Sequence, residues 1–368
     1  MSAAMTERER WLATVEFQEL DRPVRFEAIG IDDETVANWR RGGWEPETPM
    51  LDFIGEFGMA RSAPVFIGAH LHPGFFPEFR EEVLEDDGRR QLVRSQAGAL
   101  FERFSDGSMS IPRFISFPVR NQDDFRGLLP RLNPRDHGRV DAWSWAFGLA
   151  QQNHWPLNVY VSGCFGFHRH LMGFENGLIA YLEDPELIHA LSRAWRDLVV
   201  GVVERARVHG VVDTVYFWED MCYKNGPMIS PRMFQEFILP YYHVVCDRAR
   251  ELGARVLAVD TDGDCTRLVP LFVEAGTNLM LPFEVQAGME VRKVRPEFPR
   301  LAIHGGLDKR VLAGTRDDID RELEAKLPFM LAAGGYIPAI DHVVPPNVPL
   351  ENWRYFLERT RGFGRSPG

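Results

Sequence analysis

The stretch V-L-A-V-D-T-D-G-D (256–264) runs from four apolar residues into three carboxylates, Asp260, Asp262 and Asp264. A strand buried on both faces reads as an unbroken apolar run, and its end is where polar side chains return to solvent. Four further segments repeat the form: V-Y-F-W-E-D (215–220), L-M-L-P-F-E (279–284), L-A-I-H-G-G (301–306) and Y-I-P-A-I-D-H (336–342). Their ends carry Glu219, Asp220, Glu284, His304, Asp341 and His342. A parallel β/α barrel places chemistry in this way, its C-terminal strand ends converging on one face. The expected fold is therefore α/β, a (β/α)8 TIM-like barrel.

Outward from these segments, spacings of about 20 to 40 residues between strand ends fit strand–helix units. P-L-N-V-Y-V-S-G (156–163) reads as another strand, and V-R-F-E-A-I-G (24–30) as the first. Helical patterns cover 6–20, Thr35 to Arg41, 122–132, 139–153, 167–181 and 185–209. Pro231 to Gly253 is also helical, with a break or kink expected at Pro240, which lacks a backbone donor and clashes with the preceding turn. Residues 64–120 differ: V-F-I-G-A-H-L (65–71), E-E-V-L-E (81–85), Q-L-V-R-S (91–95), L-F-E-R-F (100–104) and F-I-S-F-P-V (114–119) are short runs between turn signals. They predict an antiparallel β meander inserted near the N-terminus of a single domain spanning 1–368.

The 368 residues are 45% hydrophobic, ample for a large core. A net charge of −11 and a pI near 5.5, with no basic block, argue against nucleic acid and an anionic membrane surface. No apolar run approaches a transmembrane span, and the polar N-terminus lacks a signal-peptide core. Four scattered cysteines (Cys164, Cys222, Cys246, Cys265) form no disulfide framework, so a reduced, cytoplasmic protein is expected. The Gly-rich segments match neither a P-loop nor a dinucleotide fingerprint, which disfavours a nucleotide cofactor.

Several pieces together resemble the uroporphyrinogen decarboxylase-like superfamily, which includes the porphyrinogen decarboxylase and corrinoid- or coenzyme M-linked methyltransferases. They are L-M-G-F-E-N (171–176), E-D-M-C-Y-K-N-G-P-M-I-S-P (219–231), P-F-E-V-Q-A-G-M-E (282–290), H-G-G-L-D-K-R-V-L (304–312) and G-G-Y-I-P-A-I-D-H-V-V-P-P-N-V-P-L-E-N (334–352). The resemblance implies a barrel enzyme, commonly a homodimer. The decarboxylase's R-Q-A-G-R signature has only W-R-R-G-G-W-E-P-E (39–47) as its nearest segment, and its F-S-D-I-L strand has no counterpart. The family's zinc methyltransferases use His-x-Cys-Gly and a later cysteine. Here those places hold Asp260-Thr261-Asp262-Gly263 and Ile340-Asp341-His342. A thiolate site has become an oxygen-rich one, suited to zinc or a harder divalent ion.

The candidate catalytic residues are accordingly Asp260, Asp262, His342 and Glu219, with Asp260, Asp262 and His342 as metal ligands. Carboxylates at i and i+2 on a strand face the same way; the plain alternative is a cap on the following helix. Trp218, Asp220, Glu284, His304, Asp341 and Tyr336 are candidate substrate contacts, although aromatic strand residues and single histidines are more often core. Carboxylates sharing a cavity repel, so one or more should titrate high or hold a cation. The paired histidines His70/His72 and His168/His170 form weaker metal candidates.

Three functions compete. The first is metal-assisted methyl transfer involving a small methylated substrate or a corrinoid, the latter as substrate or carried on a partner protein. The second is a metal-free decarboxylase or lyase for a porphyrinogen-like or other polycarboxylate, with Arg40, Arg41 and Arg113 as candidate anchors. The third is a non-catalytic corrinoid or tetrapyrrole binder.

Overall fold

A computed structural model describes residues 4–27, 29–45, 58–68, 72–106 and 112–363. Along the chain come β1 (Ala63–Phe66), then β2 (Glu82–Asp86), β3 (Arg90–Arg94), β4 (Leu100–Phe104) and β5 (Arg113–Ser116). These are followed by β6 (Leu157–Ser162), β7 (Thr214–Trp218), and the short pair β8 (Cys222–Tyr223) and β9 (Gly226–Pro227). The last four are β10 (Val256–Asp260), β11 (Leu279–Leu281), β12 (Ala302–His304) and β13 (Tyr336–Ile337). Seven strands form one parallel sheet in the order β1-β6-β7-β10-β11-β12-β13, with helices in the connections. Each of the five apolar runs supplies a strand of this sheet; β7, β10 and β12 end at or beside their polar residues, while β11 ends three residues before Glu284 and β13 four before Asp341, and the 156–163 run supplies β6.

The sheet separates two cores. One face packs Tyr216, Val256, Ala258, Leu279, Leu281, Ala302 and Ile337 together with Trp11, Leu12 and Val15. Those last three come from the helix Glu7–Val15, which starts with a capping box between Thr6 and Glu9. The Trp11 indole donates to Thr214 Oγ1 at 2.9 Å, at the start of β7. The N-terminal helix therefore packs at the N-terminal end of the strands and leaves their C-terminal ends for the site. The other face, with Val159, Phe217, Leu257, Val259 and Ile303, packs against the long helix Pro185–His209 and its neighbours. Alternation along the strands divides the two faces.

Pro240 breaks the expected helix into Pro231–Phe237 and Leu239–Glu251. Residues 24–30 form no strand, contrary to the sequence reading, and residue 28 lies outside the described residues. The backbone groups there go elsewhere: Ala60 N donates to Arg25 O, His304 Nε2 donates to Phe26 O, and Ile31 makes a single parallel bridge with Val344. The antiparallel sheet is β2-β3-β4-β5, so it covers 82–116 and not 64–120. The 65–71 run begins within β1, which pairs parallel with β6, and residues 69–71 and 107–111 lie outside the described residues. Among the described residues the parallel ladders run from β1 to β13 without closing a ring.

Candidate active site

Beyond β10 the chain turns at Gly263, whose φ of +78° is strained for a residue with a side chain. An added Cβ there would meet the Cys222 and Tyr223 backbone at 2.8 Å, so glycine is required by space as well as by conformation. The turn places Asp262 opposite two later strand ends. His342 Nε2 lies 3.3 Å from Asp262 Oδ2, and Glu284 Oε2 accepts from Gly263 N at 2.9 Å. One ligand atom from each of Asp262, Glu284 and His342 falls within 4.8 Å of the others. This is the one such group of three among the described residues. Asp262 Oδ1 is buried and accepts no hydrogen bond. The hydrogen bond to Asp262 raises the affinity of His342 for its proton.

An adjoining cavity of about 450 Å³ is lined by Asp220, Cys222, Lys224, Asp262, Glu284 and Gln286, among others. Lys309 Nζ approaches Glu284 Oε1 at 3.5 Å. Asp341 does not reach into this space. Its Oδ2 accepts from Val285 N at 2.8 Å and its Oδ1 from Lys309 N at 2.9 Å, clamping the loops after β11 and β12. Burial holds the Asp341 carboxyl above the usual carboxylate range despite those donors.

Other strand-end candidates are drawn into the scaffold. Glu219 is fully buried; it accepts from Cys164 N at 2.8 Å, Gly166 N at 3.0 Å and Tyr242 Oη at 2.6 Å. It thereby caps the helix Cys164–Met172, whose own N-cap, Gly163, has no side chain to do so. Burial pushes its pKa up to about 7. Asp260 accepts from Tyr216 Oη at 3.0 Å, and burial followed by the nearby Asp262 charge raises it to about 8. Asp260 is not part of the three-residue group; Glu284 takes the place the sequence reading gave it. A strand continued straight through 260–262 would put both acids on one face, but β10 ends at Asp260 and Gly263 turns the chain.

His304 is buried, held by the Phe26 carbonyl at 2.6 Å, and desolvation lowers it to about 4. Tyr336 donates to Gly305 O at 2.9 Å within the core. Asp220 pairs with Arg169 at 2.7 Å. Trp218 has Arg169 over its ring at 4.8 Å and His170 stacked on it at 5.1 Å. His168 is buried on Tyr181 and Ser192, His72 lies 3.6 Å from Glu78, and residue 70 lies outside the described residues. Arg40 and Arg41 are exposed on the helix Asp33–Arg41, and Arg113 is exposed and paired with Glu102.

The sequence reading missed Lys309 and Tyr216, whereas a turn at Gly263 is what its glycine predicted. Lys309 follows β12 by five positions in H-G-G-L-D-K (304–309), beyond the strand-end rule that pointed to His304. Tyr216 lay inside an apolar run, where only its hydroxyl hinted at a buried partner.

Converging ionisable groups at the C-terminal ends of parallel strands define an α/β enzyme architecture. The profile of the uroporphyrinogen decarboxylase (URO-D) family matches residues 103–363, and the chain belongs to that family. It is 26% identical over 133 residues to the uroporphyrinogen decarboxylase of Geotalea daltonii, covering 36% of this chain and 38% of that one. The match to the Anaeromyxobacter enzyme is 22% identical over 271 residues, covering 72% and 75%. The first relatives are thus matched over well under two thirds of their length. A solved methyltransferase from Methanosarcina mazei shares the fold, with a TM-score of 0.62 at 15% identity over 97% of this chain and 98% of that one. No described helix is long and apolar enough to cross a membrane.

Proposed function

We propose that this chain is a URO-D-family enzyme of metal-assisted methyl transfer, with a divalent cation held by Asp262, Glu284 and His342. The carrying observation is the meeting of those three side chains beside a cavity, with Asp262 Oδ1 buried and unpartnered. Two oxygens and one imidazole nitrogen suit zinc or a harder ion such as manganese. Asp262 and His342 also stand in the two segments that resemble the ligand segments of the zinc methyltransferases, and Glu284 is added by the fold. Bound there, the ion would supply Lewis-acid activation of a small substrate, or of a corrinoid offered by a partner protein.

The chain's own groups prepare that site. Gly263 N fixes one Glu284 oxygen, and Asp341 fixes the loop that carries Glu284. His342 must give up its proton to ligate, so ion affinity should rise with pH through the raised His342 titration. Closure of the barrel by residues 24–31 belongs to the same proposal; it is supported by the contacts of that segment with Ala60, His304 and Val344.

The lyase reading asks for free cations to hold substrate carboxylates. The cavity presents Asp220, Asp262 and Glu284 against a single exposed lysine, Lys224, while Arg169 is engaged by Asp220, and Arg40, Arg41 and Arg113 are exposed elsewhere. The test is elemental analysis of the purified protein together with methyl transfer from a methylated corrinoid to a thiol. We expect a bound divalent ion, with transfer lost in chelator and restored by that ion. No bound ion and undiminished turnover in chelator would remove this reading. Corrinoid binding without any turnover would favour the binder instead.

A further inference from the structure

We infer that Lys309 is the resident cation of the Glu284 carboxylate, and that it is exchanged against the divalent ion when the site loads. The inference rests on the metal reading above. One buried carboxylate, Asp341, holds both Val285 N and Lys309 N, at 2.8 and 2.9 Å. The clamp sets Glu284 and Lys309 beside each other in space although 25 positions separate them in sequence. Their side chains meet at 3.5 Å, longer than a tight charge-assisted bond, and both are largely but not fully buried.

The contact has a physical purpose in the metal-free protein. Asp262 and Glu284 face one cavity, where Asp220 is already paired with Arg169, and like charges so placed repel. An ammonium on Glu284 offsets that repulsion. It also lies against an oxygen of a carboxylate that the ion requires, so the two cations compete for Glu284. A merely structural ion pair would make the opposite prediction, because its loss would loosen the ligand and weaken ion binding.

Manganese(II) titrated calorimetrically into the full chain decides between them, using wild type, Lys309→Met, Glu284→Gln and the double variant. Lys309→Met should bind the ion about two- to fivefold more tightly, the scale of a partly exposed ion pair. That advantage should vanish in the Glu284→Gln background. In wild-type protein, which needs no variant to fold, saturating manganese should increase acylation of the Lys309 amine by a succinimidyl ester, read by peptide mass spectrometry. Equal or weaker binding by Lys309→Met, while wild type binds normally, overturns the exchange and leaves the metal site standing. Binding by neither protein overturns the metal reading and this inference together.

Discussion

Glu219 and Asp262 occupy similar places in the chain and have opposite fates. Each follows the end of a parallel strand, β7 or β10, and those strands are hydrogen-bonded neighbours. The Glu219 oxygens take two backbone N–H groups and a tyrosine hydroxyl, and the residue is fully buried. Gly163 makes room for it, since a Cβ there would lie 2.2 Å from Glu219 Cδ. Asp262 has a single partner at 3.3 Å on one oxygen and none on the other. Position at a strand end therefore marks the active face. Whether the acid serves the scaffold or a ligand depends on which donors the surrounding loops direct at it.

The difference is broken most directly at Glu219. Glu219→Ala leaves Cys164 N, Gly166 N and the Tyr242 hydroxyl without their acceptor and opens a void. Buried donors stripped of a partner cost about 1–3 kcal/mol each, so a loss of at least about 3 kcal/mol is expected. Urea unfolding should show a lower midpoint, with manganese affinity changed little in the protein that remains folded. A variant of wild-type stability that had lost the ion would reverse the roles assigned to the two acids. Gly263→Ala comes next. Its positive φ and the 2.8 Å approach to the Cys222 and Tyr223 backbone should cost about 1–3 kcal/mol. It should also weaken ion binding, because the turn that presents Asp262 moves; intact affinity would show that the turn does not position the ligand.

Asp260 stands between the two acids and sharpens the contrast through pH. Its pKa in the fold is about 8, against an ordinary 3.8, chiefly because burial penalises the charged form. Between roughly pH 4 and 8 the unfolded chain releases this proton while the folded chain keeps it, so stability falls as pH rises. Glu219, raised to about 7, adds in the same sense at the lower end of the window. Asp260→Asn should flatten the fall, gaining stability relative to wild type from pH 5 to pH 8, read from urea midpoints at each pH. An unchanged slope would mean that Asp260 is already ionised in the folded protein.

Much of this was legible in the sequence, for a physical reason. Buried parallel strands must be apolar, so the five runs marked β7, β10, β11, β12 and β13 and located their polar ends. Pro240 announced its helix break because a missing donor acts locally. The assignments that failed depended on long-range partners. Residues 24–30 look like a strand until their carbonyls are seen to accept from His304 and Ala60. Asp341 reads as a site acid until Val285 N and Lys309 N take both its oxygens. Lys309 meets Glu284 only through folding, and no pattern within either loop signals the pair.

The smallest expected change in stability is the one that bears most on function. Asp262→Asn keeps the side-chain shape, and a neutral amide can still bond to His342. Asp262 is partly exposed, and its bond to His342 is long. A surface pair of this kind contributes roughly 0–1 kcal/mol, so the unfolding midpoint should barely move. Ion binding should behave differently, because the amide supplies no negative charge to a divalent cation and its nitrogen is no ligand. A fall of about tenfold or more in manganese affinity is expected, the scale seen when even a ligand's supporting partner is lost. The His342 titration should move down with it, since Asp262 is what raises it, and NMR of the imidazole would show that shift without any ion present. A variant that loses stability as Glu219→Ala does, yet keeps its ion, would place Asp262 with the scaffold and leave the orphaned oxygen without a ligand to explain it.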